Sequence, residues 1–232
     1  MALLHNAILR GFNTIYLQAP HVKPVDYGEF IGYSLTWVKF VQKHHDDEEA
    51  ELFPKVEELI GRKGALHKAY EEHATFMDGL IKFRDYLLPL SEQGQDGSFD
   101  GKTLQSIMDT FADAFGHHFR SEIGIIAGLA DEVQQSNDGD DEKKKIDLQS
   151  LGPVFAKWGK ASIMRAGLSD VVPFLFFNFD RTVEDGKWAN WPPMPGPIRW
   201  GLIHIGGFWY SGWWRFASCD ADGKPRTLYA LK

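Results

Sequence analysis

The segment at positions 44–54 carries histidines and carboxylates at the spacing of one helical turn. Glu48 follows His44 by four residues, and Glu49 follows His45 by the same interval. On an α-helix, residues i and i+4 lie on one face. An imidazole and a carboxylate arranged in this way can bind one metal ion, or two adjacent ions.

The same pairing recurs later in the chain. His118 is followed four residues later by Glu122, and two further histidines, His5 and His73, lie on separate segments with helical patterns. Four helices that each direct ligands inward would form a dinuclear metal site in the core of a bundle.

The apolar pattern predicts which of these side chains point inward. His44 continues an apolar stripe that runs through Trp37 and Val41, and His118 lies three residues after Phe115. Both histidines are therefore predicted to be buried. A buried imidazole and a buried carboxylate need partners, and a metal ion serves both.

The sequence gives weaker evidence for metal binding by the remaining histidines. His73 lies on an apolar face, where the other ligands favour metal binding over a core role. His45 projects about 100° away from His44 on the helical wheel, so we expect it to support the ligands from behind or to face solvent, with Glu49 pointing outward. The other histidines are predicted to lie outside the metal site, although His204 could approach it if the extension covers that end: His21, His67, His117 and His204.

The predicted ligand set contains four histidines and two carboxylates. This mixture suits iron, manganese or zinc better than calcium or magnesium, and it exceeds one tetrahedral zinc site. Two ions would each take two histidines, with both carboxylates bridging and coordination positions left open for a small molecule such as dioxygen. The predicted set is His5, His44, Glu48, His73, His118 and Glu122. The other glutamates of these helices are expected on solvated faces: Glu51, Glu57, Glu58, Glu71 and Glu72.

Four amphipathic segments must position these ligands. Helical spacing of apolar residues predicts helices at 2–18, 26–60, 65–90 and 100–130. Asp26 and Glu29 match a capping box, Pro54 must kink the second helix or begin a new segment, and Pro89 is expected in the loop after the third. The pattern predicts an all-α, up-and-down four-helix bundle over residues 1–130.

The rest of the chain differs in composition. Residues 131–150 are polar and are predicted to form a linker. Residues 151–232 contain seven of the eight tryptophans and a cluster of prolines. Such aromatic segments aggregate if they remain exposed. We therefore expect a mostly irregular C-terminal extension that packs on the bundle.

Composition excludes several other classes. The 232-residue chain has formal charge −7 and no basic stripe, which argues against nucleic-acid binding. Its one cysteine, Cys219, excludes an intramolecular disulfide and a cysteine-based zinc or iron–sulfur site. No apolar run of about 18 residues indicates a membrane span. No signal peptide is evident, and a cytoplasmic location is predicted.

Residues 1–130 resemble the hemerythrin-like, or His-His-Glu cation-binding, domain. The matching motifs are the region of His5 through Gly11, the segment from His44 to Pro54, the Glu72-His73 pair with Phe76, and the His118/Glu122 pair. The resemblance implies a bundle that holds two non-haem irons bridged by oxygen or hydroxide. The aromatic extension is similar to those of some fungal hemerythrin-like proteins.

The sequence departs from the oxygen-carrying hemerythrins at two places. Those proteins have two histidines four residues apart on the third helix, whereas His73 here has Met77 after it and Ala69 before it. They also use an aspartate five residues after the fourth-helix histidine, where this chain has Glu122 at four. The resemblance therefore implies one histidine fewer, as in the hemerythrin-like domain of the iron-sensing F-box protein. It implies iron and dioxygen binding rather than reversible oxygen carriage.

Two functions remain open from sequence. The first is a di-iron protein that binds or senses dioxygen or iron. The second is a di-iron oxidase or oxygenase whose small organic substrate binds in a pocket completed by the extension. An apolar pocket formed by residues 151–232 and open toward His73 and Met77 would favour the enzyme, whereas an extension packed away from the metals would favour binding or sensing. An iron-free bundle with a partner surface is a third reading, which six aligned ligands disfavour.

Overall fold

A computed structural model of the protein describes residues 1–92, 96–137 and 151–232. Within these ranges the chain forms nine α-helices and no β-strand longer than an isolated bridge. The helices are α1 (Ala2–Gln18), α2 (Tyr27–Asp47), α3 (Phe53–Ile60), α4 (His67–Glu92), α5 (Gly101–Asp109), α6 (Ala112–Asn137), α7 (Leu151–Ala166), α8 (Val171–Asn178) and α9 (Gly196–His204).

The four arms of the bundle are α1, α2 with α3, α4, and α5 with α6. Helix α2 packs against α4, and α4 packs against α6, while α1 contacts both α2 and α6. The apolar faces predicted from sequence meet in one core that is rich in aromatic side chains. The all-α bundle is thereby confirmed.

The second arm changes its winding at the predicted metal motif. Helix α2 ends at Asp47, and Glu48–Leu52 form a π-helical turn before α3 begins at Phe53. Pro54 lies in the first turn of α3, where a missing N–H is tolerated. Gly61 then ends α3 with a left-handed φ of 66°. Wide turns of this kind occur frequently at functional sites.

The capping box predicted at the start of this arm is wrong. Asp26 makes no side-chain cap to α2. Instead Arg215, from the C-terminal extension, lies 2.9 Å from Asp26 Oδ1 and also contacts the carboxylate of Glu29. The two acidic residues therefore bind a distant arginine instead of the helix N-terminus.

The third and fourth arms also differ from the predicted boundaries. Pro89 lies inside the last turns of α4 and not in the loop that follows it. Residues 93–95 of that loop lie outside the described residues. The predicted fourth helix is interrupted between α5 and α6, and α6 continues to Asn137, so 131–137 are helical rather than linker. The other linker residues, 138–150, are likewise outside the described part of the chain.

The extension packs on the bundle, as expected, through helix α8. Every residue of α8 is buried. Phe174 packs against Tyr33 of α2 with ring centroids 4.9 Å apart. Gly11 of α1 admits this contact, because a Cβ there would lie 2.6 Å from Phe174 Cζ. Bundle and extension therefore share one apolar core.

Buried hydrogen bonds hold the same junction. Tyr33 donates to Asn178 Oδ1 at 3.1 Å, and the side-chain amide of Gln18 donates to the carbonyl of Phe216 at 2.8 Å. The extension contains three α-helices, with 3-10 turns and irregular segments between them. Among the described residues, no helix has the length and apolar character needed to cross a bilayer.

Candidate metal centre

One end of the bundle encloses seven metal-ligating side chains from all four arms. None is more than 2 % exposed. The structure brings together all six residues singled out from sequence, and it adds one more. The cluster consists of His5, His44, His45, Glu48, His73, His118 and Glu122.

The five histidines divide into two groups. His45, His73 and His118 form what we call the three-histidine pocket, in which the Nε2 atoms of His45 and His118 lie 3.2 Å apart. His5 and His44 form the two-histidine pocket, with their Nε2 atoms 3.1 Å apart. Each group is tight enough for its nitrogens to reach one ion.

The two carboxylates lie between the pockets. Glu48 places Oε1 3.2 Å from His44 Nε2 and Oε2 3.8 Å from His73 Nε2. Glu122 Oε2 lies 3.3 Å from His5 Nε2 and 3.8 Å from His118 Nε2. Each carboxylate thus reaches both pockets, which is the arrangement of a bridging ligand.

The cluster leaves buried polar atoms without hydrogen bonds. Both carboxylate oxygens of Glu48 and of Glu122 lack a partner, as does Nε2 of His73. An unsatisfied buried polar group costs free energy, and native structures contain few of them. These oxygen and nitrogen atoms converge on shared space, so the residues present fit a pair of cations.

Burial sets the protonation states of the cluster in the absence of metal. Desolvation lowers the pKa of His44 and His45 well below its ordinary value and that of His118 to about 3. Desolvation raises the pKa of Glu122 to about 8, and that of Glu48 well above its ordinary value. Neutral imidazole is already the ligand form, whereas each carboxyl must lose a proton when a cation binds.

The predicted alternative in which His45 faces solvent is wrong, and the structure places His45 beside His73 and His118, where it could itself bind a cation. Its side chain is 2 % exposed, and its ring lies 5.1 Å from that of Phe76 on α4. Helix α2 has neighbours on two sides, so adjacent positions on it can both be buried. The sequence held a signal for this, since Val38 and Val41 lie seven and four residues before His45 and are both buried.

His45 also changes the comparison with the oxygen carriers. The third helix does lack a second histidine, but the cluster still contains five imidazoles because α2 supplies two. The expected deficit of one histidine is therefore made up by a different helix.

A second correction concerns Glu72, which was expected on a solvated face. It is 8 % exposed, accepts a hydrogen bond from Ser121, and lies 3.5 Å from His118 Nδ1. Glu49 does point outward, with a 42 % exposed side chain, yet its Oε1 lies 2.7 Å from His73 Nδ1. Both carboxylates therefore stand behind histidines of the three-histidine pocket.

The extension reaches the cluster through α7. The Trp158 ring lies 5.8 Å from the ring of His44, and its indole N–H donates to the carbonyl of Asp47 at 3.2 Å. Arg165 pairs with Asp47 and with Glu51 of the π-helical turn. Helix α7 thus packs over the turn that carries Glu48.

A surface cleft of about 510 Å³ lies elsewhere, between α1 and the extension. Its lining includes Asn6, Arg10, Asn178 and Asp180, and it contains no residue of the cluster. Neither His73 nor Met77 contributes to it. This cleft is therefore not the apolar pocket above the metals that would favour an enzyme.

A comparison with protein families agrees with this geometry. The family model described as "Hemerythrin HHE cation binding domain" matches residues 1–130, over half of the chain. The chain belongs to the hemerythrin HHE family. Its N-terminal part is thus a helical cation-binding domain, and the His/Glu cluster lies within the matched residues.

One relative extends the similarity beyond that domain. The chain is 27 % identical over 229 residues to "Dimeric xanthone biosynthesis cluster protein R11" of Cryptosporiopsis sp. (strain 8999), covering 98 % of this chain and 80 % of the relative. The extension is therefore part of the similarity. No solved structure matches the chain significantly.

Proposed function

We propose that this chain is a non-haem di-iron protein that binds dioxygen, or a related small ligand, and acts in oxygen or iron binding or sensing. The observation that carries the proposal is the position of Glu48 and Glu122, each between the two histidine pockets. Two carboxylates shared between two imidazole groups suit a pair of adjacent cations.

The donor set supports iron, with manganese or zinc as substitutes. Imidazole and carboxylate are ligands of intermediate-to-hard character that these metals accept, whereas calcium and magnesium prefer an all-oxygen shell. Seven side chains exceed what a single tetrahedral ion needs. Bound iron would supply open coordination positions at which a small ligand binds.

The chain's own residues would control charge and water around the ions. The two carboxylates offset part of the cations' charge, and the five imidazoles bind as neutral ligands. Aromatic rings surround them: Phe119 lies 4.6 Å from His5, and Phe76 lies 5.3 Å from His118. An apolar surround of this kind restricts solvent and lowers the local dielectric constant.

A second candidate is a di-iron oxidase or oxygenase that acts on a small organic substrate. It is favoured by the similarity, over nearly the whole chain, to a protein named for a dimeric xanthone biosynthesis cluster. The substrate pocket would have to be completed by the extension. The 510 Å³ cleft lies away from the cluster and does not supply this pocket. Helix α7 of the extension does pack at the cluster, through Trp158 and Arg165, so the extension is not packed away from the proposed metals.

Elemental analysis and optical spectroscopy test the first function. Purified protein should contain about two metal ions per chain, chiefly iron. Anaerobically reduced, iron-loaded protein should gain a visible absorption band when dioxygen is added. His45→Ala should lower the metal content, and His67→Ala, an exposed histidine, serves as the matched control. The proposal would be contradicted if the purified protein contained no metal, or if adding dioxygen left the visible spectrum of the iron-loaded protein unchanged.

Turnover separates the two candidates. Iron-loaded protein is incubated in air with a panel of phenolic and polyketide-like compounds, and oxidised products are sought by mass spectrometry. Products that depend on iron and on Glu48 would establish the enzyme. A dioxygen-responsive spectrum without any product would favour binding or sensing.

A further inference from the structure

We infer that Glu49 and Glu72 are positioning residues that make the three-histidine pocket the first to bind a divalent cation. The inference rests on the proposed metal centre and goes beyond it, because it gives the two pockets different affinities and an order of loading. The evidence for the inference is the set of groups that lie near the outward-facing Nδ1 atoms of the histidines.

His73 has a carboxylate directly behind it. Its Nδ1 lies 2.7 Å from Glu49 Oε1, while its Nε2 faces Glu48 and has no hydrogen-bond partner. A carboxylate at this distance holds the ring proton on Nδ1 and leaves the Nε2 lone pair directed into the cluster. Glu49 therefore selects the tautomer of His73 that binds metal.

A carboxylate also lies behind His118, but without a hydrogen bond to its ring. Its Nδ1 lies 3.5 Å from Glu72 Oε2, and its Nε2 faces His45. Glu72 is held in place by the hydroxyl of Ser121, which donates to Oε2. Lys68 approaches Glu72 Oε1 at 3.8 Å and offsets part of its charge, and His117 Nε2 lies 3.7 Å from the same oxygen. Among the described residues, Glu49 has no nitrogen partner at this range other than His73, to which it is hydrogen-bonded at 2.7 Å. Glu49 should therefore have the larger effect of the two.

The two-histidine pocket is built differently. Behind His5, Nδ1 lies 3.4 Å from the backbone carbonyl of Phe119. Nδ1 of His44 is buried without a hydrogen bond, as are Nδ1 of His45 and His118, so the two pockets differ in the nearby carboxylates. Among the described residues, no carboxylate contacts either outward-facing nitrogen. A neutral carbonyl polarises an imidazole less than a carboxylate does.

This asymmetry predicts ordered binding. Carboxylates behind ligating histidines raise the basicity of the rings, fix their orientation and attract the cation, and losing such a partner typically weakens metal binding by 10- to 100-fold. The three-histidine pocket has one more imidazole and both backing carboxylates. A first ion should enter it, and a second should follow in the two-histidine pocket.

Titration of the metal-free chain with Co²⁺ tests this order. Calorimetry gives the affinity of each step, and NMR reports shifted ring N–H signals of histidines that bind the paramagnetic ion. In the wild-type chain, the signals of His73 and His118 should shift with the first equivalent and that of His5 with the second.

Three substitutions separate charge from orientation. Glu49→Gln keeps an acceptor for His73 and removes the charge, so the first step should weaken by roughly 10-fold with the N–H signal retained. Glu49→Ala removes both, so the first step should weaken by roughly 100-fold and the signal should be lost. Glu72→Gln should have a smaller effect. Glu71→Gln is the matched control, since Glu71 is exposed and pairs with His67.

The outcomes distinguish this inference from the proposed function. Two equal steps, a first ion in the two-histidine pocket, or Glu49 variants that match Glu71→Gln would refute the inference while leaving a metal centre in place. If neither the wild-type chain nor any variant bound Co²⁺, both the metal centre and this inference would be refuted.

Discussion

The two halves of helix α2 pack into regions of different composition, one aromatic and the other rich in histidine and carboxylate side chains. The N-terminal half places Phe30, Tyr33 and Trp37 in an aromatic region, and the C-terminal half places His44 and His45 in the cluster of ligands. We call these the aromatic end and the ligand end of the bundle. The residues of both ends are almost fully buried. The two ends therefore differ in the chemical type and pairing of their side chains and not in their exposure to solvent.

Polar groups are paired at the aromatic end, whereas the two buried carboxylates of the ligand end are unpaired. Tyr33 bonds to Asn178 and lies 2.8 Å from Thr14 Oγ1, and the Trp37 indole donates to the carbonyl of Ile8 at 3.0 Å. The oxygens of Glu48 and Glu122 have no such partners. The aromatic end therefore stabilises the fold, whereas the unpaired carboxylates of the ligand end cost stability, a cost that the proposed cations would offset.

The largest expected effect is at the aromatic end. Phe174→Ala should lower the free energy of unfolding by about 3–5 kcal/mol, because a fully buried ring that packs on Tyr33 and Phe40 leaves a cavity. Denaturant titration measures the loss, and metal content per folded chain should not change. Phe208→Ala is the control, since that ring is 69 % exposed. If the folded Phe174→Ala variant lost metal, the claim that the aromatic end stabilises the fold independently of the ligand end would be contradicted.

The next effect has the opposite sign. Glu122→Gln should abolish the tight binding of two ions and yet stabilise the metal-free protein, by about 2 kcal/mol or more at pH 8. The wild-type carboxyl has a folded pKa of about 8, raised by burial. Its unfolded pKa is ordinary, so its contribution to stability is present at low pH and is lost as the pH rises toward 8.

Unfolding at several pH values checks this prediction. The free-energy difference between Glu122→Gln and the metal-free wild type should grow from pH 4.5 to pH 8, because glutamine does not ionise. Histidine titration acts in both proteins and largely cancels in the difference. A variant that is less stable than metal-free wild type at pH 8 would show that Glu122 is a structural residue.

A smaller loss is expected for Tyr33→Phe. Removing the hydroxyl leaves Asn178 short of one hydrogen bond in a buried site, which should cost about 1–2 kcal/mol at every pH between 5 and 8. Thermal unfolding of the metal-free and metal-loaded proteins measures it, and the loss should be equal in both. Dependence of the loss on metal would mean that the two ends are coupled.

The smallest effect concerns the contact of the extension with the ligand end. Trp158→Phe removes the hydrogen bond to the Asp47 carbonyl and should cost about 1 kcal/mol. Both ions should remain, while the electronic spectrum of Co²⁺ in the two-histidine pocket should shift because Trp158 packs on His44. Tyr16→Phe, which removes the hydrogen bond from the half-buried Tyr16 to Asp109, supplies a control. An unchanged spectrum would mean that α7 covers the ligand end of the bundle without affecting the ion in the two-histidine pocket.

Local patterns predicted most of the bundle. Helix α1 has the predicted limits, 2–18, because helical periodicity fills it and Pro20 follows it. Pro54 marks the start of α3 because a proline is compatible with a first turn. Five of the six predicted ligands were recognisable from local pattern: the His44/Glu48 and His118/Glu122 pairs from their spacing and apolar stripes, and His73 from its apolar face. His5 carried no such signal of its own.

Contacts between distant segments account for what the sequence did not reveal. His45 is buried because α2 has helices on two sides, which a single helical wheel does not represent. Asp26 is not a helix cap because Arg215 binds it, and the burial of Glu72 depends on Ser121 of another helix. Helix α8 of the extension is buried on every side between the bundle and the rest of the extension, so its apolar pattern is uniform rather than periodic.

Diffraction at the iron absorption edge tests the central claim most directly. Crystals of the iron-loaded protein should give two anomalous peaks at the ligand end. One should lie among His45, His73 and His118, the other between His5 and His44, and Glu48 and Glu122 should reach both. A single peak outside the cluster, or a cluster without any peak in iron-loaded protein, would contradict the assignment of these seven residues as ligands of two metal ions.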